Sequence, residues 1–452
     1  MSKRSQVSPE GSLSLFSPGA LLVPVAYGAG LVALAIFVTG YLGESWSNTL
    51  SFMISDGWCN PARGQGIGAH CFGDFGLAYG AAPDPYVAGA PSASNSPLTM
   101  LIFLALSLLP YDVALFAYEL AILAGSIGVI WWGSRRCDQL SRAVAVALIG
   151  VGSLGILIAL DRGNHVGLLV PLTLWYVVAL KDERWNRAFV AVVLIGSLKF
   201  WGVLLVVGLI AKRQYARAVG AIAVIAALGI LPLTFFPGGI ATALTNMIET
   251  AGDRNYAAQV SPFSVSIISF FRRLSCLAQD QAGCNFAALD LASPQQTALT
   301  LLVTALIVLA AFFCLRYSDL KVIAYVPLVA IGIIAVPEGP AYQCVFAVLA
   351  AAIFIRYVID DRASISELKC RSLRLVRLTY LALVVALVFS IVPLPLWQFD
   401  SASMLTTSFG DSSSFRLANW TVPLTWSVFL VLATLLTIRI EVHRRGSSSP
   451  TS

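Results

Sequence analysis

The sequence predicts an all-α fold, a polytopic transmembrane helix bundle of about 12 membrane segments with two long external loops. Three observations predict it. Hydrophobic residues make up 58% of the 452 residues and charged residues only 12%, against about 45–50% and about 25% in soluble domains, and the mean hydropathy is +0.81. Apolar runs long enough to cross a hydrocarbon core of about 30 Å recur along the chain. The 29 Lys and Arg residues outnumber the 23 Asp and Glu and lie mainly in the short connectors, where cations set topology. Soluble enzyme classes are excluded for most of the chain, and the basic residues imply no nucleic-acid partner.

Residues 1–18 read as a cytoplasmic tail. Lys3 and Arg4 precede neither a short apolar core nor a cleavage pattern, so the first apolar run, 19–42, is expected to be an uncleaved span. Runs at 111–132, 143–160, 165–180, 219–236, 298–315, 322–337, 342–355, 378–395 and 422–438 bring the clear crossings to ten. The stretch 188–211 is long enough for one crossing, yet the cationic connectors 181–187 and 212–217 flank it on both sides. A single crossing would put one cluster outside, so two short segments are expected, turning near 197–201 with Lys199 at the outer end. Residues 97–109 are expected to form an interfacial helix, because Arg135, Arg136 and Arg142 then fall inside. The membrane domain is expected over 19–438, with a cytoplasmic tail over 439–452. Two stretches, 43–110 and 237–296, are too long for connectors and are expected outside, where function concentrates. No internal repeat is visible, which weighs against a transporter of inverted halves.

Each long stretch holds two cysteines, Cys59 with Cys71 and Cys276 with Cys284, whereas Cys137, Cys314, Cys344 and Cys370 fall in spans or inner connectors. That partition points to two external disulfides. Metal binding is the rival reading, but only His70, next to Cys71, stands beside either pair. There is no Asp-x-Asp pair, so neither metal nor cofactor is expected.

The first long stretch carries Asp56 in Ser55-Asp56-Gly57-Trp58, Asp74 in Gly73-Asp74-Phe75, and Asp84 in Pro83-Asp84-Pro85-Tyr86. Carboxylates near the membrane surface beside glycines suit a general base acting on a hydroxyl; turn and cap duty is the structural alternative. Asp161-Arg162-Gly163-Asn164-His165 sets polar side chains at a membrane boundary, either as a functional cluster or as a tight turn from which Arg162 snorkels. Lys199, between Leu198 and Phe200, is costly in lipid without a partner, which suggests a phosphate ligand or an internal ion pair. In the second long stretch, Asp253-Arg254-Asn255-Tyr256 precedes 259–264, and 264–274 fits an amphipathic surface helix ending in Arg272-Arg273, suited to anionic headgroups. A Walker loop, a zinc motif and a Ser-His nucleophile pair are all missing.

Taken in order, these motifs resemble glycosyltransferase family 87. Its members are GT-C type membrane enzymes that include polyprenyl-phosphomannose-dependent mannosyltransferases and arabinofuranosyltransferases. Gly73-Asp74-Phe75 with Tyr79 is similar to the family's Asp-Phe-x-x-Tyr step, Asp84-Pro85-Tyr86 to its Asn-Pro-Tyr step, and Asn95-Ser96-Pro97-Leu98 to its Tyr-Pro-Pro helix start. Gly163-Asn164, Leu198-Lys199-Phe200 and 259–264 are similar to its Gly-Gln/Asn, Leu-Lys-Pro and Asn-Gln-Ser steps. The chain departs from the family at 336–343, which lacks its consecutive histidines.

The resemblance implies a GT-C-like fold and transfer of mannose or arabinofuranose from a polyprenyl-phosphate donor to a glycolipid or glycan acceptor. The reaction would take place at the external face of the plasma (inner) membrane, among membrane lipids. A phosphate leaving group needs little acid assistance, so the protein need supply only a base and cations. Asp74 is the expected base, with Asp56 in reserve. Lys199, Arg162 and Arg254, with Arg272 weaker, are the expected donor-phosphate ligands. Tyr79, Tyr86, Asn164, His165 and Tyr256 are the expected sugar and acceptor contacts. A single base implies inversion at the anomeric carbon. The alternative is a lipid-linked glycan flippase, polymerase or transporter, which would line a central cavity with charges from many spans.

Overall fold

The computed structural model describes residues 72–260, 264–278, 294–336, 341–366, 370–392 and 417–447. Every regular element among the described residues is helical. The first are α1 (Gly73–Ala81) and α2 (Pro97–Leu106). The start of α2 is written locally: Ser96 Oγ accepts the Thr99 N–H at 3.3 Å, and Pro97 occupies the first turn, where its missing N–H costs nothing. At 10 residues, α2 is too short to cross a bilayer.

α3 (Tyr111–Gly133) has 23 residues, about 34 Å at 1.5 Å per residue. Among the described residues it opens the set of six helices long and apolar enough to span a membrane: Tyr111–Arg136, Tyr215–Phe235, Thr297–Tyr317, Tyr342–Arg362, Leu373–Ile391 and Trp420–Arg444. One bent pair, α4 (Gln139–Val151) followed by α5 (Leu154–Arg162), is long and apolar enough only when taken together, as a broken span or a re-entrant loop, and is bent by 50°. Its break falls at Gly150-Val151-Gly152-Ser153, a run that tolerates a kink, and Ser126 Oγ donates to the Gly150 carbonyl at 2.5 Å.

α6 (Val166–Lys181), α7 (Trp185–Leu198) and α8 (Phe200–Ala211) are apolar but shorter. α7 and α8 meet at Lys199, which is extended at φ −145°. The remaining helices are α9 (Tyr215–Ile230), α10 (Gly239–Val260), α11 (Ile267–Ala278), α12 (Pro294–Tyr317), α13 (Lys321–Ala335), α14 (Val345–Ser366), α15 (Cys370–Ile391) and α16 (Leu417–Ser447). The expected count of about 12 segments thus depends on the bent α4–α5 pair, on the short helices α6, α7, α8 and α13, and on the run 19–42, which lies outside the described residues.

The span around α14 is 89% buried, whereas those around α9 and α12 are 28% buried. α14 is therefore the bundle's central helix, and Phe116, Val219 and Leu301 face outward, as apolar side chains do toward lipid. The first turn of α14 is approached so closely by α5 that a Cβ on Gly155 would lie 2.1 Å from the Val345 nitrogen. Small residues permit such packing where lipid removes the hydrophobic drive between helices.

The stretches expected as long external loops are largely helical where described, through α1 and α10 as well as the expected helices α2 and α11. For α1, α2 and α10 the reason is a second core: Phe75, Tyr86, Met100 and Phe103 pack with Tyr118 of α3 and with Phe236, Ala243 and Met247, while Ile267 and Ile268 of α11 join the main core. Loop backbone there would leave buried amides unpaired, and helix formation satisfies them.

The far end of α3 carries the basic connectors. Arg136 and Lys321 share Asp360, the latter at 2.9 Å, and Arg444 pairs with Asp319. Asp361, 1% exposed, accepts the Lys321 and Val322 N–H groups at 2.7 and 2.9 Å and the Tyr380 hydroxyl at 2.7 Å. One end of the bundle is thereby cross-linked from α3 to α16.

Candidate active site

At the opposite end, α1 begins after Phe72, whose backbone is left-handed at φ 62°. Consecutive helical side chains diverge by about 100°, so Phe75 and Asp74 part company. Phe75 is fully buried against Phe103, Tyr111 and Tyr118, with ring centroids 5.5, 5.6 and 5.1 Å away. Asp74, in the first turn, reaches the end of α5. There Arg162 donates from Nε and Nη2 to the two carboxylate oxygens, both at 2.9 Å, and Asn164 donates from Nδ2 to Oδ2 at 2.5 Å. This fork fixes the plane of the carboxylate as well as its position.

Asn164, 4% exposed, also accepts the Val166 N–H on Oδ1 at 3.0 Å. One side chain therefore starts α6 and holds the acid. Gly163 makes the turn possible: its φ is +61°, and a Cβ there would sit 2.5 Å from the Phe75 Cβ. Tyr342 closes another side, its ring centroid 5.4 Å from the Arg162 guanidinium carbon.

Burial is the largest influence on Asp74 and pushes its carboxyl upward. The charge and hydrogen bonds of Arg162, the hydrogen bond from Asn164 and the charge of Lys199 together outweigh it and hold the group below the usual 3.8. Asp74 is ionised at neutral pH. Lys199 is placed by its neighbour: the Leu198 carbonyl accepts from Ser96 Oγ at 2.9 Å and from Thr99 Oγ1 at 2.8 Å. The first turn of α2 thus clamps the break between α7 and α8.

Asp74, Arg162, Asn164 and Lys199, distant in sequence, come together. His165 follows them, its Nε2 buried and without a hydrogen-bond partner among the described residues. Tyr79 and Tyr86 are committed to packing instead. Tyr79 donates to the Leu109 carbonyl at 2.6 Å and stacks on Phe75. Tyr86 is 3% exposed, donates to the Asn95 carbonyl at 3.3 Å and meets Phe236 edge-on. Arg254 and Tyr256 lie on α10, and Arg272 and Cys276 on α11, with side chains outside the described residues. Asp56, Cys59, Cys71 and Cys284 are outside them altogether. Among the described residues, no group of three or more His, Cys, Asp or Glu is placed to hold a metal.

Glu119 escaped the sequence reading. Its Oε1 comes within 3.4 Å of the Cβ position at Gly163, directly behind the Asp74 cluster. A signal existed: it is the lone carboxylate well inside the apolar run 111–132, where charge is expensive. Tyr342 had no such mark, because an aromatic residue at a span's end has many ordinary uses.

The sequence profile of glycosyltransferase family 87 matches residues 94–337, more than half of the chain. The match takes in Arg162, Asn164, His165 and Lys199 and begins after Asp74. No curated protein and no solved structure matches the chain.

Proposed function

The chain belongs to glycosyltransferase family 87, and from that premise we propose an inverting transferase that uses Asp74 as its base. It moves mannose or arabinofuranose from a polyprenyl-phosphate donor to a glycolipid or glycan acceptor of the cell envelope. The observation that carries the reading is the ionised Asp74 carboxylate, gripped by Arg162 and Asn164 at one end of a membrane bundle, under the influence of the Lys199 charge.

The acceptor hydroxyl attacks the anomeric carbon and gives its proton to Asp74. The bond from that carbon to the phosphate oxygen breaks on the opposite face, its electron pair leaves with the phosphate, and configuration inverts without a covalent intermediate. A carboxylate of low pKa suits this sequence. The hydroxyl becomes strongly acidic only as its oxygen bonds to carbon, so proton transfer comes late and needs a well-placed acceptor more than a strong one. The phosphate gains charge as it leaves, and Lys199 is the cation for it. Arg162 is engaged by Asp74, so its main task is to aim the base, with Arg254 and Arg272 as further phosphate ligands and Asp56 as the reserve base.

The clustering of basic connectors at the end away from Asp74 supports a topology with that end cytoplasmic. Both termini are then inside, and the reaction occurs at the external face of the plasma membrane.

The test is transfer from polyprenyl-phosphate sugars to endogenous envelope acceptors, in membranes holding equal amounts of wild type or Asp74→Asn. Loss of transfer with the donor still bound is expected. Unchanged transfer would move the role to Asp56, and failure of the wild type with every sugar would favour a lipid-linked glycan flippase or transporter.

A further inference from the structure

Beyond His165 Nε2, the buried polar atoms near this site with no hydrogen-bond partner among the described residues include Trp201 Nε1 and Gln343 Oε1. Buried polar groups are almost always bonded, so each such atom marks a place where something else supplies the bond. Both belong to segments that also carry the site. Trp201 stands two residues after Lys199, at the start of α8. Its indole meets Phe346 of α14 edge-on at 5.2 Å. Gly332 of α13 lies against both, since a Cβ there would come within 3.0 Å of the Trp201 ring and 3.1 Å of the Phe346 ring.

Gln343, 1% exposed, sits in the 3₁₀ turn Ala341–Cys344 that leads into α14, three residues before Phe346. Gln343 and Phe346 are three apart across the junction of this turn with α14, a spacing that sets helical side chains on neighbouring positions of one face, the face on which Phe346 meets Trp201. Tyr342, one position earlier, turns instead to Arg162. The turn is held in place by α5, through the close approach at Gly155. Two chain segments therefore carry charge-binding residues, Lys199 and Tyr342, each followed within two positions by a neutral polar side chain with a buried atom that has no hydrogen-bond partner among the described residues.

The chemistry of the two atoms is complementary. Indole Nε1 only donates and amide Oε1 only accepts. A phosphate oxygen would serve the indole but be repelled by the amide oxygen, and a hydrocarbon tail serves neither. A hydroxyl accepts and donates at once. We propose that Trp201 and Gln343 form the subsite for the sugar ring of the donor, with one hydroxyl accepting from Trp201 Nε1 and donating to Gln343 Oε1. Sugars that differ in configuration at that hydroxyl are then told apart, because a site built to bond a hydroxyl rejects a ligand that leaves its polar groups unmade. The inference rests on the transferase reading and assigns the residues that choose the sugar.

The test uses full-length protein with Asp74→Asn, so that donor is not consumed. Bare polyprenyl phosphate, polyprenyl-phosphomannose and polyprenyl-phosphoarabinofuranose are titrated against it, alone and combined with Trp201→Phe or Gln343→Leu. In the parent, one sugar-bearing lipid binds more tightly than the bare lipid. Either substitution is expected to shrink that advantage by about tenfold, while bare polyprenyl phosphate binds within about twofold of the parent. Trp201→Phe keeps an aromatic ring against Phe346 and removes the N–H, which separates a lost hydrogen bond from lost packing. An unchanged sugar advantage would overturn the subsite and assign the two atoms to a bound water. Equal weakening of bare and sugar-bearing lipid by both variants would overturn it in favour of a structural role. A parent that binds none of the three lipids would overturn the transferase reading, and the subsite with it.

Discussion

Replacing Arg162 by Gln tests the central claim that this arginine aims the base. The substitution removes two charge-assisted hydrogen bonds, both at 2.9 Å, each worth about 1.5–3 kcal/mol when buried. Both side chains are 23% exposed, so water recovers part of the loss and about 2–3 kcal/mol remains. If that energy serves to orient Asp74 in the transition state, kcat/KM falls by about 30- to 150-fold. The pH dependence supplies a second, independent reading. Arg162 lowers the carboxyl against the upward push of burial, so without it the pKa of Asp74 rises, and the acid limb of the pH–rate profile moves to higher pH. Stability follows the same sign. In the parent, the lowered pKa contributes stability that is fully present above the ordinary value of 3.8 and is lost as pH falls through the lowered value. The assay is transfer in detergent or proteoliposomes across a pH series, with Arg162→Lys, which keeps a charge without the fork, falling between parent and Gln. A fall in kcat/KM with an unmoved acid limb would refute the argument, as would full activity in Arg162→Gln.

Gly163→Ala introduces a Cβ 2.5 Å from Phe75 at a left-handed φ of +61°; the backbone alone costs about 1–2 kcal/mol, and both thermal midpoint and transfer rate are expected to drop. Ser96→Ala combined with Thr99→Val frees the Leu198 carbonyl and loosens Lys199. The KM for donor is expected to rise about tenfold with little change in kcat, whereas Ser96→Thr, which keeps a hydroxyl, stays near the parent; an unchanged KM would remove the clamp from the mechanism. Asp361→Asn disturbs three hydrogen bonds at the far end and is expected to lower stability by about 1–3 kcal/mol, read as a fall in thermal midpoint, while leaving the pH profile of transfer unmoved.

Much of the architecture is visible residue by residue. Lipid makes the same demand of every position it touches, so the apolar runs around Tyr111–Arg136 and Trp420–Arg444 declare themselves. The break at Lys199 was legible because cations on both flanks forbid a single crossing, and the helices do end at Leu198 and resume at Phe200. Ser96-Pro97 announces a helix start by local chemistry alone. Arg162 and Lys199 stood out for the same reason as the spans, as charges that a bilayer rejects, and Asp74 stood out as a carboxylate beside glycines near the membrane surface.

The pairing among them was not visible. Asp74 and Arg162 are 88 residues apart, and nothing in either neighbourhood names the other, so the ion pair between them was not legible in the sequence. Within 43–110 and 237–296 the helices expected at 97–109 and 264–274 are present as α2 and α11, whereas α1 and α10 escaped for a related cause. Their apolar residues, such as Phe75 and Met247, are too sparse to show a period, and they gain a core only by packing with one another and with α3 residues such as Tyr118 and Ile122. Trp201 and Gln343 look ordinary along the chain and become notable only when burial strips them of water. The sequence by itself determined what each residue tolerates around it, because transfer to lipid or water is a property of one side chain. Only the tertiary structure decided which groups meet, because a hydrogen bond or an ion pair belongs to two residues and its geometry is set by the packing of every helix between them.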